Sequence, residues 1–196
     1  MRIVIRKLTP DLADDYVCFF DTTPHSDNIE EHKCYCVCWC GDNCEGKDFS
    51  TPEKRRAYAL QSIRTGALQG YLAFHGDTVV GWCNANTRQD CLQCYSWRRF
   101  MGAVPVADGA EPLKIKSIFC FAISPAYRRS GIAAQLLTRV CEDAAADGFD
   151  FAEAYPNKTF IDTEHDFMGP AALFEKQGFA PYFESSNQLV LRKPLQ

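Results

Sequence analysis

The sequence contains no uninterrupted apolar run of 18 residues, which excludes the usual signature of a membrane-spanning helix. Its first ten residues, MRIVIRKLTP, have the pattern of a strand and lack the apolar core of a signal peptide. Basic residues are not in excess, since 21 Lys and Arg face 25 Asp and Glu. A net charge of -4 gives no basic footprint for nucleic acid and suits a small cationic partner. We therefore predict a cytoplasmic protein with no membrane or nucleic-acid partner.

Internal repeats and low-complexity segments are also absent from the sequence. At 196 residues and 46% hydrophobic content, the chain is long enough to bury a substantial core. We expect a single domain over residues 1–196.

Cysteine, by contrast, is abundant, with 11 residues. The odd number and the missing export signal favour reduced thiols or a metal over a disulfide framework. The segment CYCVCWC places a cysteine at positions 34, 36, 38 and 40. On a strand, same-face residues lie about 6.6 Å apart, whereas thiolates on one zinc are about 3.8 Å from each other. We expect a buried strand with reduced, metal-free thiols; zinc at Cys34, Cys36, Cys38 and Cys40 is the alternative.

Hydrophobic periodicity and turn residues predict an alternation of strands and helices. The predicted strands are 2–7, 71–74, 78–84, 115–124, 149–155 and 188–193, and the predicted helices are 11–20, 51–66, 131–147 and 170–177. The mixed pattern in 88–111 predicts an irregular segment. This order of elements is typical of the α/β class.

The junction after the strand 115–124 has the features of a phosphate site. The strand ends at Ser124-Pro125, and a helix begins near Gly131, where the first backbone N–H groups lack internal partners. Small residues leave these groups accessible, and Arg128 and Arg129 add positive charge. The alternative is a structural one, in which Ser130 caps the helix and the arginines are solvated.

The run Arg128-Arg129-Ser130-Gly131-Ile132-Ala133 resembles the R/Q-x-x-G-x-G/A signature of the GNAT superfamily of acetyl-CoA-dependent N-acetyltransferases. Residues 171–179 resemble the closing helix of that family with its terminal Gly-Phe, and Val79-Val80-Gly81-Trp82 is similar to its hairpin strand. The resemblance spans about residues 71–192. It implies a mostly antiparallel sheet with two splayed strands, flanked by helices.

The resemblance also implies a division of labour along the chain. Residues 71–192 would form the acetyl-CoA-binding core, and residues 1–70, with the cysteine-rich strand, would build the acceptor side. Backbone groups near the end of the strand would hold the pantetheine arm, namely those of Phe121, Ala122 and Ile123. The turn and helix start would hold the pyrophosphate through Arg128, Arg129, Ser130, Gly131, Ile132, Ala133 and Ala134.

The catalytic positions depart from the family pattern. Phe174 stands where many members have a tyrosine that protonates the leaving thiolate, and Phe167 stands where an asparagine is frequent. Ser117 aligns with a catalytic glutamate of some histone-directed members. We therefore expect Glu153 as the general base, with Tyr155 beside it at i+2. The structural alternative is a solvated Glu153 and a core Tyr155, with His165 or Asp166 as further candidates.

Two functions follow from these observations. The first is an N-acetyltransferase that uses acetyl-CoA on a primary amine of a small molecule or peptide. The second is a cysteine-rich, metal- or redox-responsive module that binds acyl-CoA with little turnover. The sequence leaves the acceptor and the oligomeric state open, a homodimer included.

Overall fold

Seven strands of the computed structural model form a mixed sheet, within the residues that it describes: 1–41, 45–106, 113–162, 165–186 and 188–195. The strand order is β1-β2-β3-β4-β5-β7-β6. The strands are β1 (Val4–Lys7), β2 (Gly70–His75), β3 (Thr78–Thr87), β4 (Ile115–Ile123), β5 (Phe151–Ala154), β6 (Ala180–Glu184) and β7 (Leu189–Pro194). Of the neighbouring pairs, β4 and β5 run parallel and the others run antiparallel. The expected mixed and mostly antiparallel sheet is confirmed.

Helices cover both faces of this sheet. They are α1 (Ala13–Thr22), α2 (Pro52–Arg64), α3 (Arg88–Cys91), α4 (Tyr95–Phe100), α5 (Ile132–Ala146) and α6 (Ala171–Glu175). Helices α1, α2 and α4 pack on one side of the sheet, which we call the α1 face. Helices α5 and α6 pack on the other, which we call the α5 face. Among the described residues, no helix has both the length and the apolar character needed to cross a membrane.

The two long predicted helices form for the reasons seen in the sequence. Helix α5 buries Ile132, Leu136, Leu137, Val140 and Ala144 at helical spacing. At the start of α2, the side chain of Thr51 accepts a hydrogen bond from the Lys54 backbone N–H, 3.4 Å away. Apart from the strand expected at 34–40, the predicted strands and helices are confirmed within a few residues at their ends.

The sequence did not predict strand β6 or the helices α3 and α4. Strand β6 is largely exposed, so it lacks the alternating apolar pattern that marks a half-buried strand. The segment expected to be irregular at 88–111 contains the short helices α3 and α4. Tertiary packing stabilises these short helices, because Trp97 of α4 packs edge-on against Phe119 and Tyr155.

The strand expected at 34–40 is wrong. Residues 37–39 form a turn of 3-10 helix, and Tyr35 and Cys36 have positive φ angles of 45° and 52°. The consecutive side chains of Tyr35, Cys36 and Val37 are all buried, whereas consecutive residues of a strand point to opposite faces. The segment therefore packs on the α1 face of the sheet in an irregular conformation with one 3-10 turn.

Candidate active site

Strands β4 and β5 separate in the middle of the sheet. They pair only over Ile115–Ile118 and Phe151–Ala154, whereas β4 continues along β3 as far as Ile123. Phe119 has no partner on β3 and forms a bulge at the point of separation. The bulge turns both Phe119 and Cys120 to the α1 face. The expected pair of splayed strands is present.

The residues expected to hold a pantetheine arm lie along this gap. Phe121, Ala122 and Ile123 are each partly exposed, unlike the buried first half of β4. The backbone N–H of Phe121 donates to the carbonyl of Phe167 at 2.8 Å. A ligand that takes this N–H has to displace the loop carbonyl of Phe167.

The start of α5 is open to solvent. Gly131 is the N-cap with φ 82°, and a Cβ built on it meets no atom within 4 Å. Ser130 does not cap the helix, since its hydroxyl donates to the Tyr127 carbonyl. The first N–H groups of α5 therefore face an uncovered space, as an anion site requires.

The other residues of the predicted phosphate turn surround this helix start. Arg128, Arg129 and Ser130 are exposed, and Arg129 has a positive φ of 62°. The guanidinium of Arg128 donates to the Ile123 carbonyl at 3.3 Å, so it links the turn to the end of β4. Ile132 is buried and anchors the helix, and Ala133 and Ala134 are partly exposed. The structure brings the predicted phosphate residues together.

Glu153 lies in a buried network instead of at an open surface. It is fully buried and forms ion pairs with Arg192 and, at 3.5 Å, with Arg88. Its Oε1 accepts a hydrogen bond of 2.7 Å from the Tyr155 hydroxyl. Since a carboxylate only accepts, that hydroxyl donates to it, and the Ser117 hydroxyl at 2.5 Å donates to Tyr155. Because two guanidinium groups and a hydroxyl donor surround its carboxylate, Glu153 is better placed to balance buried positive charge than to act as a general base.

Tyr155 is enclosed by aromatic rings. Its ring stacks on Phe119 at 5.5 Å, Phe119 stacks on Trp39 at 4.8 Å, and Trp97 closes the stack edge-on. Burial, reinforced by the charge of Glu153, raises the pKa of Tyr155 well above its ordinary value. The hydroxyl therefore stays protonated and remains a donor at neutral pH.

Helix α6 has no proton donor at position 174, where many family members have a tyrosine. Phe174 is fully buried against the rings of Phe121 and Phe179. Asp166, a candidate base in the sequence, is buried and accepts hydrogen bonds from Asn157 and from the backbone of Ile161, so it organises its own loop. His165 is exposed and contacts Asp162 at 2.9 Å.

The cysteines of the 34–40 segment do not converge on one point. Among the described residues, the only three potential ligands whose donor atoms lie within 4.8 Å of one another are His25, Asp27 and His32. Asp27 there accepts from both histidine Nδ1 atoms, at 2.7 and 2.6 Å. The geometry does not support the alternative of zinc at Cys34, Cys36, Cys38 and Cys40. In the described part of the chain, the cysteines are free thiols, and Cys36 and Cys40 are buried.

A surface cavity of about 480 Å³ opens beside the 34–40 segment. Four carboxylates and one lysine are among its lining residues: Asp21, Glu30, Glu31, Glu53 and Lys33. Two of these carboxylates are already paired, Glu30 with Lys33 at 2.7 Å and Asp21 with Arg56 at 3.0 Å. Glu31 and Glu53 leave the lining with a net negative charge that favours a cation.

Sequence reasoning missed the polar residues buried on the α1 face. Asn84 and Asn86 of β3 are fully buried, Arg88 follows them, and Arg192 lies in the apolar run of β7. Two asparagines at i and i+2 inside an otherwise apolar strand are the signal that could have identified them, because buried polar groups need partners.

Three comparisons place this geometry among known proteins. Residues 11–179 match the model of the "Acetyltransferase (GNAT) family". No curated protein matches the sequence.

Solved structures share the fold at low identity. The PaiA N-acetyltransferase of Thermoplasma acidophilum, in complex with coenzyme A, has a TM-score of 0.56 at 12% identity, with 99% of both chains covered. A GNAT-family acetyltransferase of Streptococcus pneumoniae has a TM-score of 0.52 at 16% identity, covering 98% of this chain and 99% of that one. The ribosomal-protein-S18-alanine N-acetyltransferase of Escherichia coli has a TM-score of 0.51 at 12% identity, covering 99% and 94%. Since the family model matches most of the chain, this protein belongs to the GNAT acetyltransferase family.

Proposed function

We propose that the enzyme transfers an acetyl group from acetyl-CoA to a primary amine of a small molecule or peptide. The observation that carries this proposal is the uncovered helix start at Gly131, at the end of the gap between β4 and β5. A pyrophosphate fits a helix N-terminus because the backbone N–H groups donate to it and the helix dipole favours negative charge.

The rest of the cofactor would follow β4. From the phosphate turn, the pantetheine arm would run along Phe121, Ala122 and Ile123 toward the bulge at Phe119. Arg128 already contacts the Ile123 carbonyl at 3.3 Å and lies within the same turn, so it can meet a phosphate without a large movement. The Phe167 carbonyl would leave the Phe121 N–H when the arm binds.

The acceptor would come from the α1 face. The cavity lined by Asp21, Glu30, Glu31 and Glu53 favours a cation, and amines are cations at neutral pH. The amine must lose a proton before it can attack. This cavity is the observation that supports an amine acceptor over a neutral alcohol.

The acyl donor, when bound, supplies an activated thioester whose thiolate is a good leaving group. The chain supplies the positions and the donors around it. Phe174 has no proton to give, so the thiolate would leave with a proton from solvent or from a group outside α6. Backbone N–H groups along the open part of β4 are the donors that the gap offers to a developing oxyanion.

The test is a panel of amines incubated with the protein and acetyl-CoA. Released CoA is quantified by liquid chromatography, because the protein's own thiols react with disulfide reagents. We expect CoA release that depends on an amine and an acetylated product of matching amount. Calorimetry measures CoA binding separately. Binding with no product from any amine would favour the acyl-CoA-binding module, and absence of binding would contradict the proposal.

A further inference from the structure

The segment after α1 brings two histidines to one aspartate. His25 Nδ1 lies 2.7 Å from Asp27 Oδ1, and His32 Nδ1 lies 2.6 Å from Asp27 Oδ2, so each carboxylate oxygen accepts from a different ring. One ligand atom from each of the three side chains lies within 4.8 Å of the other two. We call His25, Asp27 and His32 the two-histidine cluster. It contains none of the residues proposed to hold acetyl-CoA.

Backbone contacts, and not the side chains alone, bring this cluster together. The carbonyl of His25 accepts a hydrogen bond from the Asn28 N–H at 2.9 Å, and Asn28 has a φ of 61°, so the chain turns sharply after Asp27. Asp27 Oδ1 also accepts from the Ile29 N–H at 2.9 Å. A short 3-10 turn then ends at His32. The loop itself therefore holds the three ligand atoms near one point.

The guanidinium of Arg55 in α2 holds the backbone on both sides of His32. It donates to the carbonyl of Glu31 and, at 2.7 Å, to the carbonyl of Lys33. The ammonium of Lys33 in turn donates to the carbonyl of Asp21 in α1 at 2.6 Å. The segment is thus attached to two helices, and the backbone position of His32 does not depend on its imidazole.

The three side chains offer the ligand atoms of a zinc site. Two imidazole nitrogens and one carboxylate oxygen are a known set for Zn²⁺, with water in the fourth position. Mg²⁺ and Ca²⁺ prefer oxygen ligands, so the imidazoles select against them. The exposed His32 leaves the cluster accessible from solvent, which gives an ion a path of entry and a place for its water.

The distances fit a cluster that takes up an ion by a small movement. Ligand atoms about 2.0–2.1 Å from a tetrahedral ion lie roughly 3.3 Å from each other. The two N···O distances of 2.7 and 2.6 Å are shorter because a proton, and not an ion, lies between the atoms. None of the three side chains is fully buried, so each ring can move outward. Each neutral imidazole then keeps its proton on Nε2 and presents Nδ1 to the ion.

We infer that the two-histidine cluster binds one Zn²⁺ ion through both imidazoles and the Asp27 carboxylate. The role of the ion is structural. It joins the two ends of the segment 25–32, in which Glu30 and Glu31 line the acidic cavity. Zinc therefore holds the wall of that cavity in place, and acetyl transfer itself needs no metal.

The first experiment titrates Co²⁺, a spectroscopic substitute for Zn²⁺, into the complete protein purified without a histidine tag. Cobalt on imidazole and carboxylate gives weak visible bands, whereas cobalt on thiolate adds an intense near-ultraviolet band. This distinction is needed because the chain has 11 cysteines. We expect visible bands that saturate at one ion per chain without the thiolate band, and their loss when Zn²⁺ is added. The titration needs no variant.

The matched variants are His32→Gln and His165→Gln. His165 is also exposed and also contacts a carboxylate, that of Asp162, at 2.9 Å. Since loss of an outer-shell partner already costs about 10–100-fold in metal affinity, His32→Gln should weaken Co²⁺ binding by about a hundredfold or more. His165→Gln should bind Co²⁺ as the wild type does. With Zn²⁺, hydrogen exchange in the segment 25–33 should slow in the wild type and His165→Gln and stay unchanged in His32→Gln.

Three results would overturn the inference. They are a thiolate band at the first equivalent of Co²⁺, equal Co²⁺ affinities for His32→Gln and the wild type, and absence of saturation up to about 1 mM metal. In the last case, the cluster closes the loop by its hydrogen bonds alone. The proposed function is tested apart from this, because failure to bind CoA would leave a zinc site at His25, Asp27 and His32 standing.

Discussion

At the residue scale, Glu153 illustrates how surroundings determine what a carboxylate can do. Its position on β5 beside the gap made it the expected base, and the structure surrounds it with Arg88, Arg192 and the hydroxyl of Tyr155. A buried carboxylate between two guanidinium groups stabilises them as much as they stabilise it. Its removal leaves buried positive charge without compensation.

We therefore predict that Glu153→Gln lowers the free energy of unfolding by about 3–5 kcal/mol. Urea denaturation measures this change. The control is Glu184→Gln, since Glu184 is exposed and pairs with Lys158 on the surface; its loss should cost about 0–1 kcal/mol.

The same variant decides whether Glu153 also acts as the base. If it does, the loss in kcat/KM shrinks as pH rises, because the free amine then needs less help. A structural role gives a loss that does not depend on pH. Equal stability of Glu153→Gln and the wild type would contradict the buried network itself.

At the scale of elements, helix α5 combines a buried apolar side with the proposed phosphate site at its first turn. Its apolar side is buried against the sheet, and its first turn is open at Gly131. The last turn ends at Gly148, which has a φ of 71° and likewise has no atom within 4 Å of an added Cβ. The helix thus has a glycine with a positive φ and open space at each end, and of the two only Gly131 lies beside the exposed N–H groups of the first turn.

This symmetry allows a matched test of the phosphate site. Gly131→Leu should weaken CoA binding by at least about tenfold, because the side chain fills the space in front of the N–H groups. Gly148→Leu carries a similar backbone strain of about 1–2 kcal/mol at the other end of the helix. It should leave the affinity unchanged. Calorimetry that gives equal affinities for the two variants would exclude the helix start as the phosphate site.

Elements with strong local signals were predictable from the sequence. Helix α5 has helical apolar spacing and a terminal glycine, and its phosphate turn has a recognisable motif. The path of residues 34–40 was not predictable, because alternating cysteines fit a strand and the positive φ angles at Tyr35 and Cys36 have no sequence signature in residues other than glycine. Packing of Trp39 on Phe119, which lies far away in the sequence, determines its path.

At the scale of the whole molecule, the sheet separates two cores and joins them at the gap between β4 and β5. The proposed phosphate turn belongs to the α5 face, and Cys36 and the acidic cavity belong to the α1 face. The surroundings of Cys36 could not be predicted, because they depend on a bulge, on the register of β3 and β4, and on two asparagines whose partners come from distant segments.

The centre of the sheet also contains a lysine, which makes the stability of the molecule depend on pH. Lys116 of β4 is 4% exposed, and burial, aided by the charge of Lys7, lowers its pKa to about 8. An unfolded lysine has a pKa of about 10.4. Between these values the unfolded chain binds more protons than the folded chain, so stability rises with pH through this window.

We predict that Lys116→Met raises the free energy of unfolding at pH 7 by about 1–2 kcal/mol, because it removes a charge that is unfavourable in the folded state. The gain should shrink as pH rises through this window and be largely lost by about pH 10, because the unfolded lysine also begins to lose its proton near its pKa of about 10.4. The control is Lys114→Met. Lys114 lies over the same Phe149 ring, at 4.5 Å against 4.6 Å for Lys116, but it is exposed. Its replacement should have an effect that does not change with pH, and a gain for Lys116→Met that is equal at pH 7 and pH 10 would show that burial does not shift this amine.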